Sequence, residues 1–151
     1  MRFIILVLAL FPLFTNAQNV KTEHFLIQLP DELKVQNDNL RRILAFGPNQ
    51  MPFVSIEYGT GIAEQFERIS EEINQKLVEF DSELVQGECG VGCISMTGAA
   101  VANTDEDDIY LYYYLAKSKT INFVISVAST TQIEGGELDV INIAKQMLSG
   151  K

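Results

Sequence analysis

Residues 93–129 read CISMTGAAVANTDEDDIYLYYYLAKSKTINFVISVAS, and the reading of this stretch decides the fold. Runs at 93–102, 109–116 and 120–129 read as strands, the last two rich in β-branched and aromatic residues. Asn103-Thr104-Asp105-Glu106-Asp107-Asp108 and Lys117-Ser118-Lys119 separate them and have the composition of connecting turns. Consecutive strands joined by short turns pair antiparallel. In the middle run Tyr110, Tyr112 and Tyr114 alternate on one side, and Ile109, Leu111, Tyr113 and Leu115 on the other. The stretch Ile121-Asn122-Phe123-Val124-Ile125 carries apolar residues on both sides, so the sheet needs cover on both faces.

Working outward, residues 24–29 alternate with Phe25, Ile27 and Leu29 on one side and predict a strand that ends at Pro30-Asp31. Further strands are predicted over 40–46, 53–58 and 83–89, with a turn at Gly47-Pro48-Asn49-Gln50. Gly59-Thr60-Gly61 breaks the pattern, and Thr60 is a candidate helix cap. Ile62, Phe66, Ile69, Ile73, Leu77 and Phe80 then recur at steps of four and three, one apolar stripe of a helix. A second helix is predicted over 134–148. Glu134, Glu137 and Asp139 lie near its start and Lys145 near its end, with Gly150 as terminator. The expectation is an α+β fold: an antiparallel sheet of about six strands flanked by two main helices.

Phe25-Leu26-Ile27-Gln28-Leu29-Pro30 precedes a strand pair, an amphipathic helix, a long meander and a final helix. This order, over most of residues 23–149, resembles the PsbP/Mog1-like fold group, which includes many exported bacterial domains. The resemblance implies an antiparallel sheet between helices and a non-enzymatic binding or assembly role. It carries no catalytic residues onto this chain.

The start of the chain reads as an address. Met1-Arg2 is followed by an apolar run from Phe3 to Phe14, broken only by Pro12, and then by Thr15-Asn16-Ala17. A positive start, a short apolar middle and a small-residue end make the layout of a secretory signal. The run has about twelve residues, whereas a spanning helix needs roughly twenty. Residues 1–17 are therefore expected to be a signal peptide cut after Ala17, leaving 18–151 as a single α+β domain. That domain is expected to be periplasmic or secreted, with no stable membrane anchor. The whole chain has 11 Lys and Arg against 20 Asp and Glu, a net charge of −9. An excess of acids argues against nucleic acid as a partner.

Cys89 and Cys93 are the chain's two cysteines, and Gly90-Val91-Gly92 lies between them. On one straight strand their Cα atoms would lie about 13 Å apart, too far for a disulfide. A three-residue hairpin loop using a glycine at positive φ would bring them face to face. An oxidising compartment then favours a disulfide that pins the hairpin.

Few chemistries remain. There is no G-x-S-x-G, no G-x-x-x-x-G-K-[ST] and no H-E-x-x-H. His24 is the one histidine, so neither a triad nor a zinc site is well supplied, and no cofactor is expected. The acidic turn with Asp105, Glu106, Asp107 and Asp108 reads as a solvated turn, a weak cation site without the EF-hand order, or a contact surface. The row of Tyr110, Tyr112 and Tyr114 reads either as packing beneath a helix or as an interface beside that turn. The first functional expectation is a non-enzymatic exported binding module that takes a protein partner, a cationic one in the version the charge suggests. Tyr110, Tyr112, Tyr114 and Asp105 to Asp108 would be its contact residues. An immunity or inhibitor protein against a secreted hydrolase is one concrete form. The alternatives are an envelope assembly or cation-binding accessory factor and, third, a hydrolase with a carboxylate pair.

Overall fold

A computed structural model describes residues 17–38 and 40–150, Asp38 by its backbone only. Residues 1–16, most of the predicted signal peptide, lie outside the described residues. In chain order the strands are β1 (Ala17–Lys21), β2 (Leu26–Pro30), β3 (Lys34–Asp38), β4 (Arg42–Phe46), β5 (Phe53–Tyr58), β6 (Val85–Glu88), β7 (Ile94–Asn103), β8 (Asp108–Lys117) and β9 (Asn122–Ser129). The helices are α1 (Thr60–Glu64) and α2 (Phe66–Val78), between β5 and β6, and α3 (Val140–Ser149) at the end.

Strands β3 to β9 form one sheet in the order β3-β4-β5-β9-β8-β7-β6, antiparallel throughout, and β1 and β2 form a separate antiparallel pair. The fold is thus α+β with an antiparallel sheet, but the sheet has seven strands and a two-stranded companion where about six strands were expected. Seven strand segments were predicted along the chain, and the two further strands are β1 and β3. Their sequences, AQNVK and KVQND, are mostly polar, because β1 buries only Val20 and β3 lies at the sheet edge. An apolar alternation signals burial on one face, so a largely solvated strand escapes it.

Each face has its own core. On one, β1, β2 and α3 cover Ile43, Ala45, Val54, Ile56, Tyr114, Phe123, Ile125 and Val127 through residues such as Phe25, Ile27, Ile143 and Met147. On the other, α1 and α2 place Ile62, Phe66, Ile73 and Leu77 over Ala100, Leu115 and Val124. Cover on both faces is what the doubly apolar β9 requires. Gly98 on β7 lets α2 come close: a methyl group there would lie 2.5 Å from Leu77 Cδ1 and 2.9 Å from Leu84 Cδ2.

Three local expectations change. Thr60 is not a cap: Gly59 holds the N-cap position at φ 120, and no side chain caps α1. The Gly59 N–H instead donates to Asn122 O (2.9 Å), tying the end of β5 to β9. The predicted helix from Ile62 is split at Gln65 (φ −112, ψ 11) into α1 and α2. The final helix starts at Val140, so Glu134 and Glu137 precede it. Asp139 is its N-cap, accepting from the Ile141 N–H (2.7 Å), and Gly135 at φ 61 is outside helical geometry. Gly150 ends it in the left-handed conformation, as predicted.

The cysteine hairpin has the expected form. The Cys93 N–H donates to Gly90 O (3.0 Å), Gly90 and Gly92 have φ of 130 and 70, and Cys89 and Cys93 are disulfide-bonded with Cα atoms 5.1 Å apart.

Candidate functional site

The tyrosine row divides. Tyr114 is 8% exposed and stacks on Phe123, ring centroids 5.9 Å apart. The Tyr112 ring packs on the same core, and its hydroxyl accepts a hydrogen bond from the Ile133 N–H (3.0 Å) in the segment before α3. Both side chains are therefore used within the fold. Tyr110 is half-buried at the end of the row, and its cross-strand neighbour Val101 is 40% exposed.

The acidic cluster is the tip of the β7–β8 hairpin. Asn103 pairs with Asp108, and Asp105 to Asp108 are all exposed. Thr104 organises the turn: its Oγ1 donates to Asp107 O (2.6 Å) and accepts from the Asp107 N–H (3.1 Å). Among the described residues no three His, Cys, Asp or Glu side chains converge as metal ligands.

The feature that sequence reasoning missed lies on the α2 face. Residues directly opposite across strands share a face. Register therefore places Phe46, Phe53, Ala128 and Leu111 in one row, and Leu44, Ser55, Ser126 and Tyr113 in the next. Ile109 continues the same side of β8 toward the acidic tip. Leu44, Phe46, Phe53, Ile109 and Leu111 are half-buried and belong to neither buried cluster. The Phe46 and Phe53 rings are parallel within 4°, centroids 6.3 Å apart, and with Gln50, Met51 and Ala128 they line a cleft of about 440 Å³.

Dimensions explain the uncovered strip. Six strand spacings span about 29 Å, whereas a helix with side chains is about 10 Å wide and the thirteen residues of α2 run about 20 Å. Helix α1 lies on β5 and β9, and α2 runs on to β7. The end of this face formed by Phe46, Phe53, Ala128 and Leu111, away from the stretch of β5 and β9 that α1 touches, lies outside both buried clusters. Alternation put Leu111 on the side of β8 away from Tyr110, Tyr112 and Tyr114, but only the tertiary structure leaves it outside both cores.

A second cleft, of about 610 Å³, lies between this strip and α2 and is lined by Glu57, Tyr113, Val124 and Ser126 from the sheet and Arg68, Ile69, Glu72 and Lys76 from α2. Glu72 is ion-paired with Arg68. Burial of Tyr113 holds its phenol above the usual range, since the phenolate is disfavoured away from water.

Both ends of the sheet carry mixed charge: Lys34, opposite Phe46, shares the end of the acidic tip, and Glu57, opposite Arg42, lies at the other. Residues Asp105 to Asp108 lie at the end where β9 finishes, and Glu134 and Glu137 lie in the segment leaving β9. Arg41, Arg42, Lys117 and Lys119 lie at the opposite end. Lys117 there holds Glu67 (Nζ to Oε1 3.2 Å). The uncovered strip runs from the middle of the sheet to the end of the acidic tip.

No family model matches the chain, and no curated protein matches it. Among solved structures it is similar to a protein from Bacteroides thetaiotaomicron VPI-5482 at 15% identity and a TM-score of 0.51. The match covers 82% of this chain and 44% of that one, so the chain spans under half of that structure's length, and the likeness is one of fold alone.

Proposed function

We propose that this protein is a non-enzymatic, exported binding module whose partner is a cationic protein seated on the uncovered strip of the sheet. The observation that carries the reading is the row of Phe46, Phe53 and Leu111, half-exposed outside both cores and continuous through Ile109 with the acidic hairpin tip. Apolar area supplies holding energy, and the Asp105 to Asp108 carboxylates steer a positively charged partner. Export is supported by the Cys89–Cys93 disulfide and by the signal-like start of the chain. No helix among the described residues is long and apolar enough to cross a membrane. The antiparallel sheet between helices also supports the PsbP/Mog1-like assignment. An immunity or inhibitor protein remains the concrete form of the proposal.

The test is capture of a partner from envelope extract at low and high salt, comparing the wild type with Phe53→Ala, Leu111→Ala and the double variant Asp105→Asn/Asp107→Asn. Far-UV circular dichroism checks that each variant is folded. Each apolar substitution is expected to weaken capture by about tenfold if the residue is a hot spot. The Asn variant should flatten the salt dependence. Glu57→Gln with Glu72→Gln is the control for the hydrolase alternative and should leave capture unchanged. Capture indifferent to the strip and tip variants would refute the proposal.

A further inference from the structure

We propose that Gln18 is the N-terminal residue of the working protein and that the fold uses its side-chain amide as a latch that blocks cyclisation to pyroglutamate. The inference rests on the export reading, with the cut after Ala17. The new N-terminus is then a glutamine, whose α-amine can attack its own side-chain Cδ. In that reaction the N–Cδ bond forms, the Cδ–Nε2 bond breaks, and Nε2 leaves as ammonia with the proton the amine gives up. No further reactant is needed.

The fold opposes this at the amide nitrogen that must leave. Gln18 is half-buried in β1, opposite Leu29 of β2. Its Nε2 donates to Pro30 O (3.0 Å) and to Leu33 O (2.8 Å), which uses both hydrogens of the amide. Pro30 O also accepts from the Leu33 N–H (3.1 Å), so the amide is fastened across the turn that follows β2. Cyclisation must swing the side chain back onto its own nitrogen and break both bonds. Val20, Ile27 and Leu29 are buried on the neighbouring positions of the two strands, so peeling β1 away also exposes apolar surface. A cyclised residue has lost Nε2 and can remake neither bond. The latch thus ties the processed end of the chain to the carbonyls of Pro30 and Leu33.

The experiment expresses the full chain in an exporting bacterial host and measures the intact mass of the recovered protein. The expected species begins at Gln18 with its ammonia retained. It is then held at neutral pH, native or in urea, and loss of one ammonia is followed by mass spectrometry. Cyclisation is expected to be at least about tenfold slower in the native protein, because two hydrogen bonds must open first. Equal rates in the two conditions, or recovery of already cyclised protein, would overturn the latch and leave the export reading standing. A first residue other than Gln18 overturns the proposal outright, and an unprocessed chain beginning at Met1 sinks the export reading with it.

Discussion

Replacing Tyr112 by Phe removes one oxygen and separates a packing residue from a contact residue. That hydroxyl accepts from the Ile133 N–H at 3.0 Å, and the ring lies against the core beneath α3. The net contribution of one hydrogen bond is about 1 kcal/mol, and a half-buried N–H left without a partner adds to the loss. Tyr112→Phe should therefore cost about 1–2 kcal/mol. For a domain of this length that lowers Tm by about 4–7 °C. Tyr112→Ala also removes the ring and should cost about 3–5 kcal/mol. Urea unfolding followed by circular dichroism reads both, with the slope m unchanged if only stability has moved. Amide exchange at Ile133 should quicken in both variants. Partner capture, measured where each variant is fully folded, should not change. Wild-type stability and unaltered Ile133 exchange in Tyr112→Phe, or a tenfold loss of capture by a fully stable Tyr112→Ala, would refute the assignment of this residue to the interior.

Gly98→Ala should destabilise by about 1–3 kcal/mol, because its methyl group would sit 2.5 Å from Cδ1 of the buried Leu77; a urea midpoint equal to wild type would show that α2 can move away freely. Replacing Cys89 and Cys93 by Ser should cost about 2 kcal/mol, the value for so short a closed loop, so the reduced protein should stay folded in chemical denaturation; collapse of the fold would mean that the disulfide does more than pin its hairpin. Tyr113 is raised in the folded state by burial, so its unfolded-state phenol ionises first, near pH 10. Stability from this group is complete below that pH and falls as pH rises toward the folded value; Tyr113→Phe should remove that part of the alkaline slope, and an unchanged slope would contradict it. Glu67 is lowered by a backbone hydrogen bond and then by Lys117, so Lys117→Met should move its NMR-detected titration back toward 4.5; no movement would exclude the ion pair as a cause.

Local chemistry reaches as far as this chain's own neighbours in sequence. The alternation in residues 93–129, the stripe from Ile62 to Leu77 and the two glycines between Cys89 and Cys93 each act within a few residues, where backbone geometry and side-chain period leave few choices. The strands, the antiparallel meander, α2 and the disulfide hairpin were legible for that reason. The polar strands β1 and β3 were not, since they draw stability from a partner strand and carry little apolar pattern of their own. The fate of the tyrosines was not legible either. Alternation put Tyr112 and Tyr114 on one side of β8 and Leu111 on the other, but it is equally compatible with either side being covered. Tertiary structure made that choice: α3 and the Ile133 segment close over the tyrosines, while α2, too short and narrow for a seven-stranded sheet, leaves Leu111, Phe53 and Phe46 half-open to water. Which face of a strand is hidden depends on where a distant helix lies, and a period of two residues contains no information about that.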